Sequence, residues 1–383
     1  MKILHLAVVG GENRGGGVHE VTHHYYKHQL SLGITPALWF PGNDQERFLY
    51  RQDPNVKVLP TLGNPNYGIL AELFYPQESL DFDLVHQHGI WSPISLLSKK
   101  YRKLQRGPVI IQPHGFLEPY RLNLKKYEKK IVYSLIEKEA IRNARLLVAC
   151  SEAERYNLKQ MFPNKEIAVI SNGVPRDFVD QPTYKVQDAS SDKQTMVFLS
   201  RIHPLKGLER LLRAIHKIGA SKFKNWTLIV AGFQEVNHQE YLIKLVGELG
   251  LNSLVSFVGP TFGQDKIDLL SNASVFVFPS YNESFGIVVT EALGRGVPVL
   301  TTKGAPWSEL ETHNCGWWVE NSEEGLMDGL NQVLKTDPKT LSLMGERGRA
   351  LVLDKYTWED NVKNTLELYN WLINNGKKPS FVA

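Results

Sequence analysis

The sequence predicts two doubly wound α/β domains. Three observations carry this: the length, a regular alternation of strand and helix signals, and a polar break near the middle. At 383 residues the chain exceeds the ~250–300 at which one core stops growing, so two domains of about 180 residues are expected. Strand candidates in the first half are Ile3–Val9, Thr35–Phe40, Leu84–Gln87, Val109–Gln112, Leu146–Ala149 and Ala168–Ile170. In the second half they are Thr195–Leu199, Leu228–Ala231, Val255–Val258, Ser274–Phe278, Pro298–Thr301 and Gly316–Val319. Helical patterns separate them, which implies parallel sheets covered by helices. The polar stretch Val179–Lys193 reads as the linker, giving a first domain over 1–180 and a second over 194–355. A last helix, over 356–375, carries Trp358, Val362, Leu366, Tyr369 and Leu372 on one face. Ser151-x-x-Glu154 predicts a capping box after the fifth strand.

Composition narrows the class. Hydrophobic content is 42%, charged content 22%, and there are 2 Cys, which fits a reducing compartment without a disulfide framework. No apolar run reaches the ~18–20 residues of a membrane span, and Ile3–Val9 lacks signal-peptide architecture. A cytoplasmic protein is expected, with peripheral attachment to the inner face of the plasma membrane as the only membrane option. The net charge of +4 is uneven: thirteen Lys and Arg lie between Lys99 and Arg145 against four Glu, so the remainder of the chain is acidic. An anionic lipid surface is a candidate partner for that basic segment; nucleic acid is not expected.

The most informative stretch runs from Phe278 to Leu300. An apolar strand is stopped by Pro279, a polar loop follows, and helical spacing begins at Phe285. The first turn of such a helix offers unpaired N–H groups and a positive pole to a phosphate. Glu283 stands before this turn and Glu291 two turns along, placing carboxylates to hold hydroxyls on either side of a bound diphosphate. A sugar nucleotide has that layout. Earlier, Leu199-Ser-Arg-Ile-His-Pro-Leu-Lys-Gly207 leads from a strand into a helix. Arg201 and Lys206 are there expected to converge on the diphosphate at the carboxyl edge of the sheet, neutralising it without a metal.

The stretch from Glu283 to Glu291 resembles the Glu-x7-Glu signature of retaining glycosyltransferases of family 4, which have the GT-B fold. The resemblance implies two Rossmann-like domains facing an interdomain cleft, a final helix crossing back to the first domain, and a metal-independent hexosyltransferase without a cofactor. It implies Glu291 on the ribose, Glu283 on the sugar hydroxyls, and Ser284 with the N–H groups of Phe285, Gly286 and Ile287 at the diphosphate. Arg201 and Lys206 are similar to the family's phosphate-binding element. His114, in Gln112-Pro-His-Gly115, is similar to a histidine set against the donor sugar.

The base is expected near Val258, uridine before guanosine. Gly16 and Gly17 close a glycine loop, begun at Gly10, that the resemblance places against the donor phosphates and acceptor site, and glycines there permit the close backbone approach. Its spacing is not G-x-G-x-x-G and the second strand ends without a ribose-binding acid, so a dinucleotide is not expected. His88 and Trp91 are candidates to line the acceptor site, with core packing of Trp91 an equal alternative. His19-Glu20-Val21-Thr22-His23 is a formal H-E-x-x-H match, but it occupies the first crossover helix with no third ligand in view. Asp81-Phe82-Asp83 precedes its strand and does not fit a metal-binding Asp-x-Asp.

The expected activity is sugar transfer to a glycan or lipid-linked acceptor in cell-surface polysaccharide biosynthesis. A sugar-nucleotide epimerase of the same fold and a non-catalytic sugar-nucleotide-binding partner remain alternatives.

Overall fold

The computed structural model describes residues 1–8, 16–62, 69–70, 81–104, 107–123, 126–181 and 193–383. The earlier part of the glycine loop lies outside the described residues, as do Leu124 and Lys125. So do 182–192 of the expected linker. The chain divides into two compact units, Met1–Asn172 with Trp358–Ala383, and Gly173–Thr357.

The first unit is built on strands β1 (Lys2–Ala7), β2 (Thr35–Gly42), β3 (Val56–Leu62), β4 (Ile69–Leu70), β5 (Leu84–His88), β6 (Val109–Gln112), β7 (Leu146–Ala149) and β8 (Ile167–Val169). Their order is β4-β3-β2-β1-β5-β6-β7-β8, with every pair parallel except β3 and β4. β3 and β4 are additions to the six strands expected in this half. Pro60 inside β3 removes a donor and obscures the signal, yet it lies opposite Gly42 of β2 near the end of the pairing.

Alternation along the strands sends Ile3 and Leu84 to one face, where they pack with Leu368 and Tyr369 of the helix Trp358–Asn374. His5, His86 and His88 follow on that face by the same period of two. Trp358, Val362 and Tyr369 are buried, while Leu366 and Leu372 are partly so.

The second unit contains β9 (Gln194–Leu199), β10 (Trp226–Ala231), β11 (Val255–Gly259), β12 (Val275–Phe278), β13 (Val299–Thr302) and β14 (Gly316–Val319). All pairs are parallel, in the order β11-β10-β9-β12-β13-β14. The chain winds from β9 to one side, then returns to place β12 on the other. This reversal puts a switch point between the carboxyl ends of β9 and β12, where open α/β sheets bind ligands.

The boundaries of the two units differ from the expected 1–180, 194–355 and 356–375. Buried Arg295 donates from Nη1 to the carbonyls of Phe178 and Gln181, at 2.7 and 3.0 Å. Arg349 donates to that of Val179, and Val174 N–H to that of Tyr356. The segment from Gly173 therefore belongs to the second unit. No helix among the described residues is long and apolar enough to cross a membrane, and both cysteines are buried.

Candidate functional site

The switch point of the second unit holds the candidate donor site. After β9, Pro204–Lys206 forms a 3₁₀ turn and Gly207 takes a left-handed conformation at φ 72°. A Cβ at Gly207 would stand 2.0 Å from the carbonyl oxygen of Pro279, so only glycine lets the two loops meet. They then lace together: Tyr281 N–H donates to Leu205 O at 2.9 Å, and Ser280 Oγ reaches Leu205 O at 3.1 Å and Glu283 Oε1 at 2.7 Å. Lys206 Nζ lies 2.5 Å from Glu283 Oε1, with side chains 12% and 15% exposed. Two motifs distant in sequence thus form one ion pair at the carboxyl edge.

The helix after this loop spans Ile287–Gly294, with Gly286 before it at φ 87° and no capping side chain. Its first turn keeps the positive pole that a phosphate uses. It begins two residues later than the spacing at Phe285 predicts, because buried Phe285 packs on Trp307, whose indole donates to Phe285 O at 2.6 Å. Glu291 is therefore about one turn into the helix, not two.

Glu291 pairs with Lys266 at 2.8 Å, a partner that nothing in the sequence spacing indicated. Arg201 is paired with a carboxylate of its own: its Nη1 lies 2.9 Å from Glu235 Oε2, both side chains being near half-exposed. Both Glu235 and Lys266 come from segments outside the recognised motifs. Ser284 and Ile287 are partly buried, and Val258 is exposed.

In the first unit, His114 follows β6 with φ 53° and Gly115 with φ 74°. A left-handed non-glycine residue costs roughly 1–2 kcal/mol, and here a buried carboxylate sustains it. Glu154 accepts from Gly115 N–H at 2.6 Å and from Cys150 N–H at 2.8 Å. Cys150 Sγ donates to the same carboxylate at 2.9 Å. Only half of the expected capping box forms: Ser151 Oγ accepts from Glu154 N–H, while the Glu154 side chain serves the His114 turn.

His88 does not line a surface. It is fully buried, between His5 Nδ1 at 2.8 Å and His114 Nε2 at 3.1 Å. His88 is the last residue of the wholly buried strand β5, and Gly89, at φ 85°, makes the turn after it. Trp91 is partly buried, donating from its indole to Phe116 O and from its backbone to Glu137. Glu137 ends a π-helical turn, Tyr133–Glu137, and burial pushes its carboxyl up to about 7.

Gly16 is extended and precedes the helix Gly17–Ser31; a Cβ there would meet nothing within 4 Å. In that helix His24 stacks on Trp358 at 5.0 Å and His28 faces Glu359 at 3.7 Å, so these two histidines dock the last helix. Among the described residues the one group with metal-like geometry is instead His5, His86 and His88. Asp81 and Asp83 bind Lys2 at the opposite end of β1.

The family described as Glycosyl transferases group 1 matches residues 180–351, and Glycosyltransferase Family 4 matches residues 15–178. An uncharacterised glycosyltransferase of Methanocaldococcus jannaschii is 30% identical over 220 residues, covering 54% of each chain. The D-inositol 3-phosphate glycosyltransferase of Mycolicibacterium smegmatis is 27% identical over 240 residues, 59% of this chain and 50% of that protein. The chain thus spans about half the length of these curated relatives. Anabaena HepE, solved in complex with UDP and glucose, superposes with a TM-score of 0.76 at 20% identity, covering 97% of this chain and all of that one. That likeness shows the GT-B fold.

Acid stability follows from the buried histidines. Burial lowers His5 to about 4 and His114 to about 3, and holds His86 and His88 well below the usual range. Unfolded histidines titrate near 6.5, so between about 6.5 and 4 the unfolded chain binds protons that the folded one does not. Each histidine then removes ~1.4 kcal/mol of stability per unit of falling pH. Glu137 and Glu154, both raised by burial, act oppositely, because their folded forms keep a proton that the unfolded forms lose as pH rises. Four histidines against two carboxylates leave the histidine sign. The denaturant midpoint is expected to fall steadily from pH 6.5 to 4.5; a flat or rising midpoint contradicts a neutral buried cluster.

Proposed function

The chain belongs to the family 4 glycosyltransferases, whose two domain families match its two halves, and we propose that it moves a sugar from a nucleoside diphosphate sugar to a glycan or lipid-linked acceptor with retained configuration. The observation that carries this reading is the Lys206–Glu283 pair at the switch point, 2.5 Å apart and largely buried, beside the uncapped helix that opens at Ile287. An ammonium and a helix N-terminus converge where a diphosphate would leave, and a carboxylate stands where sugar hydroxyls would bind.

In the reaction, the bond from the anomeric carbon to the diphosphate oxygen breaks and its electron pair stays with the diphosphate. The acceptor oxygen bonds to the anomeric carbon on that same face, and its proton passes to a diphosphate oxygen. Lys206 and the N–H groups of Gly286 and Ile287 stabilise the growing charge, and Arg201 joins them by exchanging Glu235 for phosphate. Such preorganised donors contribute a few kcal/mol each. Glu283 orients the sugar. Glu291, on exchanging Lys266 for the ribose, holds the nucleoside. His114 offers a neutral imidazole to a sugar hydroxyl.

UDP-sugars are the first donor candidates and GDP-sugars the second. In a thermal-shift series, a nucleotide sugar at 100 times its Kd should stabilise the protein by ~2.7 kcal/mol. Lys206→Ala should then lose about 2–4 kcal/mol of transition-state stabilisation in transfer, and Glu291→Gln should chiefly lose nucleotide affinity. Unchanged transfer by the Lys206 variant would remove the assignment.

The charge of the diphosphate is met by side chains and backbone, so we also propose a metal-independent reaction. Transfer is expected to persist in excess EDTA. Abolition by EDTA with recovery on adding Mn²⁺ or Mg²⁺ would reverse this point.

Peripheral attachment to anionic membrane is the third element of the proposal. Tyr127, Ile131 and Leu135 repeat every four residues and are 83%, 61% and 69% exposed, so this stripe is not a core face. Lys126 and Lys130 are exposed beside it. An apolar stripe flanked by lysines matches the headgroup boundary of an anionic bilayer, where each lysine is worth ~1 kcal/mol and salt screens the attraction. The protein should sediment with anionic vesicles at low ionic strength and be released by salt. A variant with Lys126 and Lys130 changed to Glu should stay in the supernatant yet bind donor. Indifference of wild type to such vesicles would point to a soluble acceptor.

A further inference from the structure

We propose that Gln29, His5 and His88 form a hydrogen-bonded relay that sets the tautomer of His114, placing its proton on Nε2 and leaving Nδ1 bare as an acceptor. The relay crosses three elements. Gln29 on the helix Gly17–Ser31 meets His5 Nε2 at 3.0 Å through Oε1. His5 Nδ1, on β1, meets His88 Nε2, at the end of β5, at 2.8 Å. His88 Nδ1 meets His114 Nε2 at 3.1 Å. Gln29, His5 and His88 are wholly buried and His114 nearly so.

The polarity follows from counting protons. A neutral imidazole has one N–H donor and one bare acceptor, and burial keeps these rings neutral. The amide oxygen of Gln29 only accepts, so His5 carries its proton on Nε2 and its Nδ1 is bare. His88 must then donate from Nε2, which leaves its own Nδ1 bare. His114 must donate from Nε2 in turn. One amide oxygen therefore dictates which ring nitrogen is bare at the edge of the sheet, through two histidines that touch no ligand. Gln29, His5 and His88 are positioning residues.

The stacking supports a fixed geometry. Tyr25 stacks on His5 with centroids 5.8 Å apart, and His88 stacks on His114 at 5.4 Å. His86 stands outside the relay, its Nδ1 2.7 Å from the hydroxyl of Tyr369.

The same cluster brings ligand atoms of His5, His86 and His88 within 4.8 Å of one another, a spacing that also suits a metal ion. Nitrogens of His5 and His88 are, however, spent on each other, and their second nitrogens are spent on Gln29 and His114. A divalent charge would also enter a site that already rejects an imidazolium.

The functional weight of the relay rests on reading His114 as a sugar contact, but its chemistry can be read without activity. The test is the ring-nitrogen NMR spectrum of the full chain labelled with ¹⁵N-histidine at neutral pH. His5, His88 and His114 should all show the Nε2–H tautomer; an Nδ1–H signature at His114 overturns the proposal. Gln29→Leu, which removes the acceptor, should convert His114 to a mixture of tautomers and lower kcat/KM for transfer roughly five- to tenfold, the worth of one hydrogen bond. Gln29→Glu, which keeps an acceptor, should restore the single tautomer. An unchanged His114 spectrum in Gln29→Leu overturns the relay. If Gln29→Leu does not fold, the wild-type spectrum decides alone. Added ZnCl₂ should leave the ring signals unmoved, and coordination shifts at His5, His86 and His88 would replace the relay with a metal site. Tautomers that respond as expected while transfer does not would uphold the relay and retire His114 as a sugar contact.

Discussion

The close approach of the loops after β9 and β12 is the constraint on which the second unit's chemistry depends. Gly207 has no side chain, so the backbone beyond β9 can lie against the carbonyl of Pro279. The Lys206–Glu283 side of the site follows from that contact. Ser280 and Tyr281 bond to Leu205, Glu283 is drawn under Lys206, and the loop is delivered to the helix at Ile287 in a left-handed turn at Gly286. Any larger residue at Gly207 would push apart the two cationic and anionic partners that the strand reversal brings together.

Much of this was legible because it is local. The six strands of the second unit and the stop at Pro279 are each read from a few neighbouring residues. The Lys206–Glu283 pair was inferable only as convergence on one sheet edge, since 77 positions separate the partners. The partners of Arg201 and Glu291 were not legible. Glu235 and Lys266 lie in segments whose local pattern carries no signal, and their meeting is a product of packing. β3 escaped for a different reason, a proline within the strand. The boundary at Gly173 escaped because it is decided by Arg295, which satisfies its buried guanidinium with carbonyls from a segment more than a hundred positions earlier.

The first unit shows the opposite economy. His88 and His114 lie at or just after strand ends, which invites a reading as surface ligands, and His5 and His86 share the strands beneath them. Burial made them something else: neutral rings whose nitrogens mostly bond to neighbouring side chains. Glu154 illustrates the same shift, a residue whose sequence position announces a helix cap and whose carboxylate supports the turn bearing His114.

The left-handed backbone at His114 also governs which substitutions there are interpretable. Asparagine is among the few non-glycine residues that accept that conformation readily, whereas a β-branched replacement would disturb the turn held by Glu154 as well as removing the ring. Asparagine at this position separates the loss of an imidazole from the loss of a loop shape. The tolerance profile of position 114 should therefore divide by backbone preference before it divides by polarity.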